Sequence, residues 1–231
     1  MAQDRELTPE PFLHGNLITL CRPDLERDVL NGHWHSWFND LKTTEYLEHG
    51  VRPISPEQEE AIVCADLGNP SSFLLTIVSN KDRQVKGVIS LKSINPTLRR
   101  AEIALVTSDL REPGAALEAM ALMTTHGFDR FNLDKIYAGQ HQGLWKWVNA
   151  LALIGYKIEG LRRAHGFRNG SSYDSVLTGI TSTDFRNLRT ARGGNLLGND
   201  LPFLLKQRSN ENMVDRVREL LATLNVGYAD C

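Results

Sequence analysis

Three apolar, β-branched stretches in immediate succession constrain the fold more than any other part of the chain. They read "SSFLLTIVSN", "RQVKGVISLKSIN" and "RRAEIALVTS". Such residues suit a pleated, half-buried surface, and a turn-like segment, Asn80–Asp82, joins the first two. Consecutive strands of this kind predict an antiparallel meander.

The meander runs straight into "DLREPGAALEAMALMTTHGF", Asp109 to Phe128. A helix is expected from about Gly114, with Leu117, Met120, Ala121, Thr124 and Phe128 on one face. Its lead-in is nearly free of bulky side chains. A helix N-terminus carries unpaired N–H groups and a partial positive charge, and a bare loop lets phosphate oxygens reach them. Taken alone, Pro113 and Gly114 could equally punctuate a strand-to-helix turn against closely packed alanines. The loop is neither a Walker-type loop nor the three-glycine dinucleotide fingerprint.

The flanking segments extend the pattern. "NLITLCRP" reads as a strand closed by proline. "HWHSWFNDL" sets Trp34, Trp37, Phe38 and Leu41 on one helical face. Ser55, Pro56 and Gln58 form a capping box with proline in the first turn, so a second helix starts near Pro56. Beyond the central helix, "DKIYAG" reads as a strand and "LWKWVNALALIGY" as a helix stopped by Gly155. The stretch from Tyr156 to Ile180 reads as a hairpin turned at Asn169-Gly170. The expected class is α+β, a central and mostly antiparallel sheet with flanking helices, over residues 1–180. Residues 181–231 are expected as a C-terminal extension of one or two helices. Val214, Val217, Leu220, Leu221 and Leu224 give that extension an apolar stripe, which must cover either the main domain or a second copy of the chain.

Bulk properties exclude some partners. A net charge of -2 gives no reason to expect nucleic acid or an anionic membrane. The start of the sequence, "MAQDRELTPEPFLHG", has no signal-type apolar run, and no stretch approaches the roughly 20 apolar residues that span a bilayer. Cys21, Cys64 and Cys231 form neither a metal-type pair nor a disulfide framework, so a reducing cytoplasm is expected and no metal site.

The order of elements, with Arg111-Glu112-Pro113-Gly114-Ala115-Ala116 after the meander, resembles the GNAT superfamily of N-acyltransferases, whose loop reads Gln/Arg-x-x-Gly-x-Gly/Ala. The resemblance covers roughly residues 14–180. The tail "LALIGYKIEGLRRAHGFRNGSSYDSVLTGI" is similar to the branch that holds ribosomal-protein alanine and amino-sugar N-acetyltransferases. The resemblance implies acetyl-CoA as co-substrate, with the backbone from Arg111 to Ala116 around its pyrophosphate. The strand "ALVTS" would run beside its pantetheine arm, and backbone groups near Leu105 and Val106 would hold the thioester.

An amine attacks a thioester only as the free base, so a base or a water chain must take its proton. Glu102, a carboxylate in an otherwise apolar strand, is the candidate, since burial would raise its pKa. The residues equally allow a solvent-facing Glu102 paired with Arg99 or Arg100. Counting back from Gly155, Leu151 stands where many relatives carry a proton-donating tyrosine, and Tyr156 is out of register. His141 is the remaining candidate donor, or else a loop histidine. The resemblance sets the acceptor site among the first two helices and the final hairpin, where His33, His35, Arg162 and Tyr173 fall. The expected acceptor is the primary amine of a small molecule, foremost a nucleotide-linked amino sugar. A protein N-terminus, an antibiotic amine, and a non-catalytic acyl-CoA-binding module are the alternatives.

Overall fold

The computed structural model describes residues 9–48 and 50–225; Met1–Thr8 and Cys231 lie outside them. The chain divides into two compact units between Leu133 and Asp134.

In the first unit, β1 (Glu10–His14) and β2 (Ile18–Arg22) form an antiparallel pair. "EPFLH", polar at both ends and holding a proline, shows no strand pattern in the sequence. A π-helical turn, Leu25–Leu30, leads to the short α1 (Trp34–Asn39), which buries Trp34, Trp37 and Phe38. Leu41, expected on that face, is instead 78% exposed, because α1 ends at Asn39. Asn39 turns the chain there: its side chain donates to the Ile54 carbonyl and accepts from the Ile54 N–H, each at 2.8 Å. Next, α2 (Pro56–Gly68) opens on the expected capping box of Ser55 and Gln58.

The meander follows as β3 (Phe73–Ser79), β4 (Val85–Asn95) and β5 (Arg100–Thr107), with β2 paired to β3. Side chains alternate across the pleat. One face carries Leu74 and Val88, which pack with Trp34, Trp37, Phe38 and Val63 beneath α1 and α2. Leu75, Ile77, Ile89 and Ile103 fall on the other face, and α3 (Ala115–Asp129) lies against β2, β4 and β5. The predicted face of α3 is buried at every named position. A buried carboxylate fixes this helix to the sheet. Glu118 accepts the backbone N–H groups of Asn16, Leu17 and Ile18 at 2.8–3.0 Å. Gly15 leaves the room, since a Cβ there would meet the Glu118 carboxylate at 2.6 Å.

In the second unit, β6 (Lys135–His141) is followed by α4 (Trp145–Ala152), β7 (Lys157–Arg168) and β8 (Ser171–Thr181). Strand β8 pairs antiparallel with both β6 and β7. Gly155 ends α4 as expected, at φ 95°, with Tyr156 N–H bonded to Leu151 C=O and Gly155 N–H to Ala152 C=O. The Asn169-Gly170 turn has both residues at positive φ. Among the described residues the tail holds three helices rather than one or two: α5 (Ser182–Ala191), α6 (Leu201–Lys206) and α7 (Met213–Asn225). Val214 of α7 is buried with Val148 of α4 and Val176 of β8.

Candidate functional site

The loop before α3 has the expected form. Gly114 is the N-cap at φ 91°, a conformation that suits glycine, and no side chain caps the helix. Ala115 N–H turns back to the Glu112 carbonyl at 3.1 Å, and the remaining first-turn N–H groups have no acceptor within the helix. Ala115 is buried, while Gly114 and Ala116 are partly exposed. The bare backbone and open first turn of a 15-residue helix fit a pyrophosphate. The exposed Arg111 side chain bonds Asp109 at 2.5 Å. Pro113 is exposed and Glu112 partly so.

Glu102, Ala104 and Val106 lie on the face of β5 turned toward α1 and α2, opposite Lys92, Ser90 and Val88 of β4. Glu102 is partly exposed rather than buried, and its carboxylate makes no hydrogen bond or ion pair among the described residues. Leu105 points to the other face, and both it and Val106 are partly exposed. Arg99 bonds the Asn132 carbonyl at 2.8 Å, which leaves it uncommitted to Glu102.

On α1, His33 is exposed at the N-cap, whereas His35 is partly buried with its Nδ1 unbonded. A carboxylate that sequence reasoning missed lies nearby. Glu59 of α2 is only 5% exposed and lines a cavity of about 110 Å³ with Trp34, Phe38, Ser90, Lys92 and Val106. Burial pushes its carboxyl pKa up, opposed by the indole N–H of Trp34 and by the Lys92 ammonium. The Trp34 contact is looser than a full hydrogen bond, since its Nε1 finds no acceptor at ordinary geometry. In "PEQEEA", Glu59 looks like one more solvated residue; only its fall on the same face as Val63, i to i+4, signals otherwise.

The second unit brings His141 and Tyr173 together, ring centroids 4.3 Å apart. His141 Nδ1 accepts the Gly143 N–H at 2.9 Å, so the neutral ring carries its proton on Nε2. Tyr173 covers Gly166, where a Cβ would meet its ring at 2.2 Å. Arg162 and Arg163 are exposed on β7. Leu151 is fully buried and Tyr156 is 2% exposed. Arg218 of α7 reaches Asp174 Oδ2, next to Tyr173 in the chain, at 3.1 Å and Gln142 Oε1 at 2.7 Å.

A mostly antiparallel sheet under flanking helices, with a bare loop opening the central helix, defines an acyl-CoA-dependent transferase fold. The acetyltransferase (GNAT) domain family matches residues 20–157, more than half the chain, and the protein belongs to that family of acetyl-CoA-dependent N-acetyltransferases. Solved structures share the fold. A spermidine N-acetyltransferase from Vibrio cholerae, in complex with CoA and spermine, is 20% identical with a TM-score of 0.65, over 75% of this chain and 100% of that one. A GCN5-related N-acetyltransferase from Brucella melitensis is 18% identical with a TM-score of 0.63, over 80% and 87%. A GNAT-family acetyltransferase from Bacillus anthracis is 16% identical with a TM-score of 0.62, over 74% and 98%. No curated protein matches the sequence. No helix among the described residues is long and apolar enough to cross a membrane.

Proposed function

We propose that the protein acetylates a primary amine of a small molecule, and that Glu102 takes the proton from the attacking nitrogen. The observation that carries this reading is a partly exposed carboxylate with no ion pair among the described residues, in the row of side chains beneath α1 and α2. Backbone from Arg111 to Ala116 would receive the pyrophosphate of acetyl-CoA, and backbone at Leu105 and Val106 the thioester, whose oxyanion calls for an N–H donor. His141, with its proton on Nε2, suits return of a proton to the departing thiolate. His33, His35 and Tyr173 are proposed acceptor contacts. Arg162, exposed and bonded to no carboxylate among the described residues, suits the phosphate of a nucleotide-linked amino sugar. A polyamine is the second reading, favoured by the buried Glu59. Residues 1–180 are read as the acyltransferase domain and 181–231 as its extension. Three cysteines without a framework suit the cytoplasm.

Glu102→Gln keeps shape and removes the base. Amine acetylation should fall about 10²–10⁴-fold, and partly recover at alkaline pH, with acetyl-CoA affinity unchanged. Steady-state acetyl transfer at a wild-type rate would assign Glu102 a structural role.

A further inference from the structure

Beneath α1 and α2, the cavity of about 110 Å³ has mostly apolar walls and one buried carboxylate, Glu59. Its neighbours on α2 behave as a polar run should: Glu57 and Gln58 are exposed and Glu60 partly so. Glu59 alone turns inward. Burying a carboxylate is costly unless a counter-charge and hydrogen bonds compensate it. Neither is complete here. Lys92, the cation that lines the cavity, is committed to Asp66 at 3.2 Å, and the Trp34 indole gives only a loose contact. The carboxylate therefore has no counter-ion of its own among the described residues, at a cavity whose walls include Trp34 and Phe38. A carboxylate beside aromatic rings is the chemistry that holds an alkylammonium group, by charge and by cation–π attraction. The cavity has the bulk of about three or four water molecules, enough for an ammonium on a short alkyl arm.

We propose that Glu59 and its cavity bind an ammonium group of the acceptor. An ammonium paired with a carboxylate is held in its protonated form, and a protonated amine is no nucleophile. The nitrogen held at Glu59 is therefore not the one acetylated. The acceptor class is then a small molecule with at least two amines: a diamine, a longer polyamine or a multiply aminated sugar. One amine anchors at Glu59 and another loses its proton and is acetylated. This assignment rests on the amine acetylation proposed above.

The test compares 1,4-diaminobutane with n-butylamine, as acceptors and as ligands in calorimetry, on the wild type and Glu59→Gln. The ratio of kcat/KM for diamine over monoamine should fall at least tenfold in Glu59→Gln, and diamine affinity by a similar factor, with acetyl-CoA affinity unchanged. An unchanged ratio and unchanged diamine affinity would overturn the proposal. If the wild type acetylates neither amine, the proposed reaction fails, and calorimetry still decides the cavity: diamine binding that weakens in Glu59→Gln supports it, and no binding or equal binding refutes it. Should Glu59→Gln fail to fold, Glu59→Asp, with its charge drawn back by one methylene, should weaken diamine binding more than monoamine binding. Equal weakening of both would count against a second ammonium.

Discussion

Gly114 joins backbone conformation to chemistry. Its φ of 91° places the chain in the left-handed region, and its lack of a side chain keeps the first turn of α3 open. Gly114→Glu adds bulk and negative charge where a pyrophosphate would sit. CoA binding by calorimetry should be lost while cooperative unfolding remains, whereas Gly114→Ala should keep binding and cost only about 1–2 kcal/mol of stability. CoA affinity unchanged in Gly114→Glu would remove the loop from the site. The sequence shows this glycine through its Pro-Gly-Ala-Ala setting. It hides Glu118 and Glu59, because a carboxylate in a helix reads as solvated until tertiary structure supplies its surroundings. Three backbone donors 100–102 residues away enclose Glu118, and Trp34 and Phe38 of α1 with side chains of β3, β4 and β5 line the cavity at Glu59. Glu102 meets the solvent-facing alternative, without the pairing to Arg99: its strand is apolar, yet the row it occupies opens to solvent at that position.

At the level of elements, local signals were legible wherever one residue dictates backbone geometry. Gly155 closes α4, Asn169-Gly170 turns the hairpin, and Ser55 caps α2. Where tertiary pairing decides, they were not: β1 exists because β2 offers an edge, not because "EPFLH" is strand-like. Helix α5 opens on a Thr181–Asp184 capping box whose aspartate departs from the usual Glu or Gln. The stripe of α7 is only partly covered. Val214 is buried, Val217 and Leu221 are half-buried, and Leu220 and Leu224 are 59% and 65% exposed. Deleting residues 205–231 removes Val214 from Val148 and Val176, about 1.5–3 kcal/mol of burial, together with the Arg218 contacts to Asp174 and Gln142. The truncated protein should melt several degrees lower, and light scattering should show aggregation or a changed mass. An unchanged melting temperature and mass would show that α7 covers nothing of consequence.

For the molecule as a whole, acid stability is expected to depend on His126. Its ring packs 5.1–5.5 Å from those of Phe12, Phe73 and Phe131, and burial, aided by Arg130 and opposed by Asp129, depresses its pKa below 6.5. The unfolded chain then takes up a proton that the folded chain resists. The stability this interaction leaves intact above pH 6.5 is lost as pH falls from 6.5 toward the depressed value. His126→Phe should flatten that limb of a melting-temperature profile, and an unaltered slope would assign it to other groups. The order of strands and helices from β2 to β8 was readable from periodicity and turn chemistry, and the family from the resemblance of the Arg111–Ala116 loop and the tail before Ile180; the acceptor was not, because its proposed contacts lie far apart in sequence. The most direct test of the account is release of CoA thiol from acetyl-CoA by the purified full chain, with and without a panel of small primary amines. The expected result is amine-dependent thiol release matched mole for mole by acetylated amine in the mass spectrum. A folded protein that binds acetyl-CoA yet releases thiol no faster with any amine would contradict it.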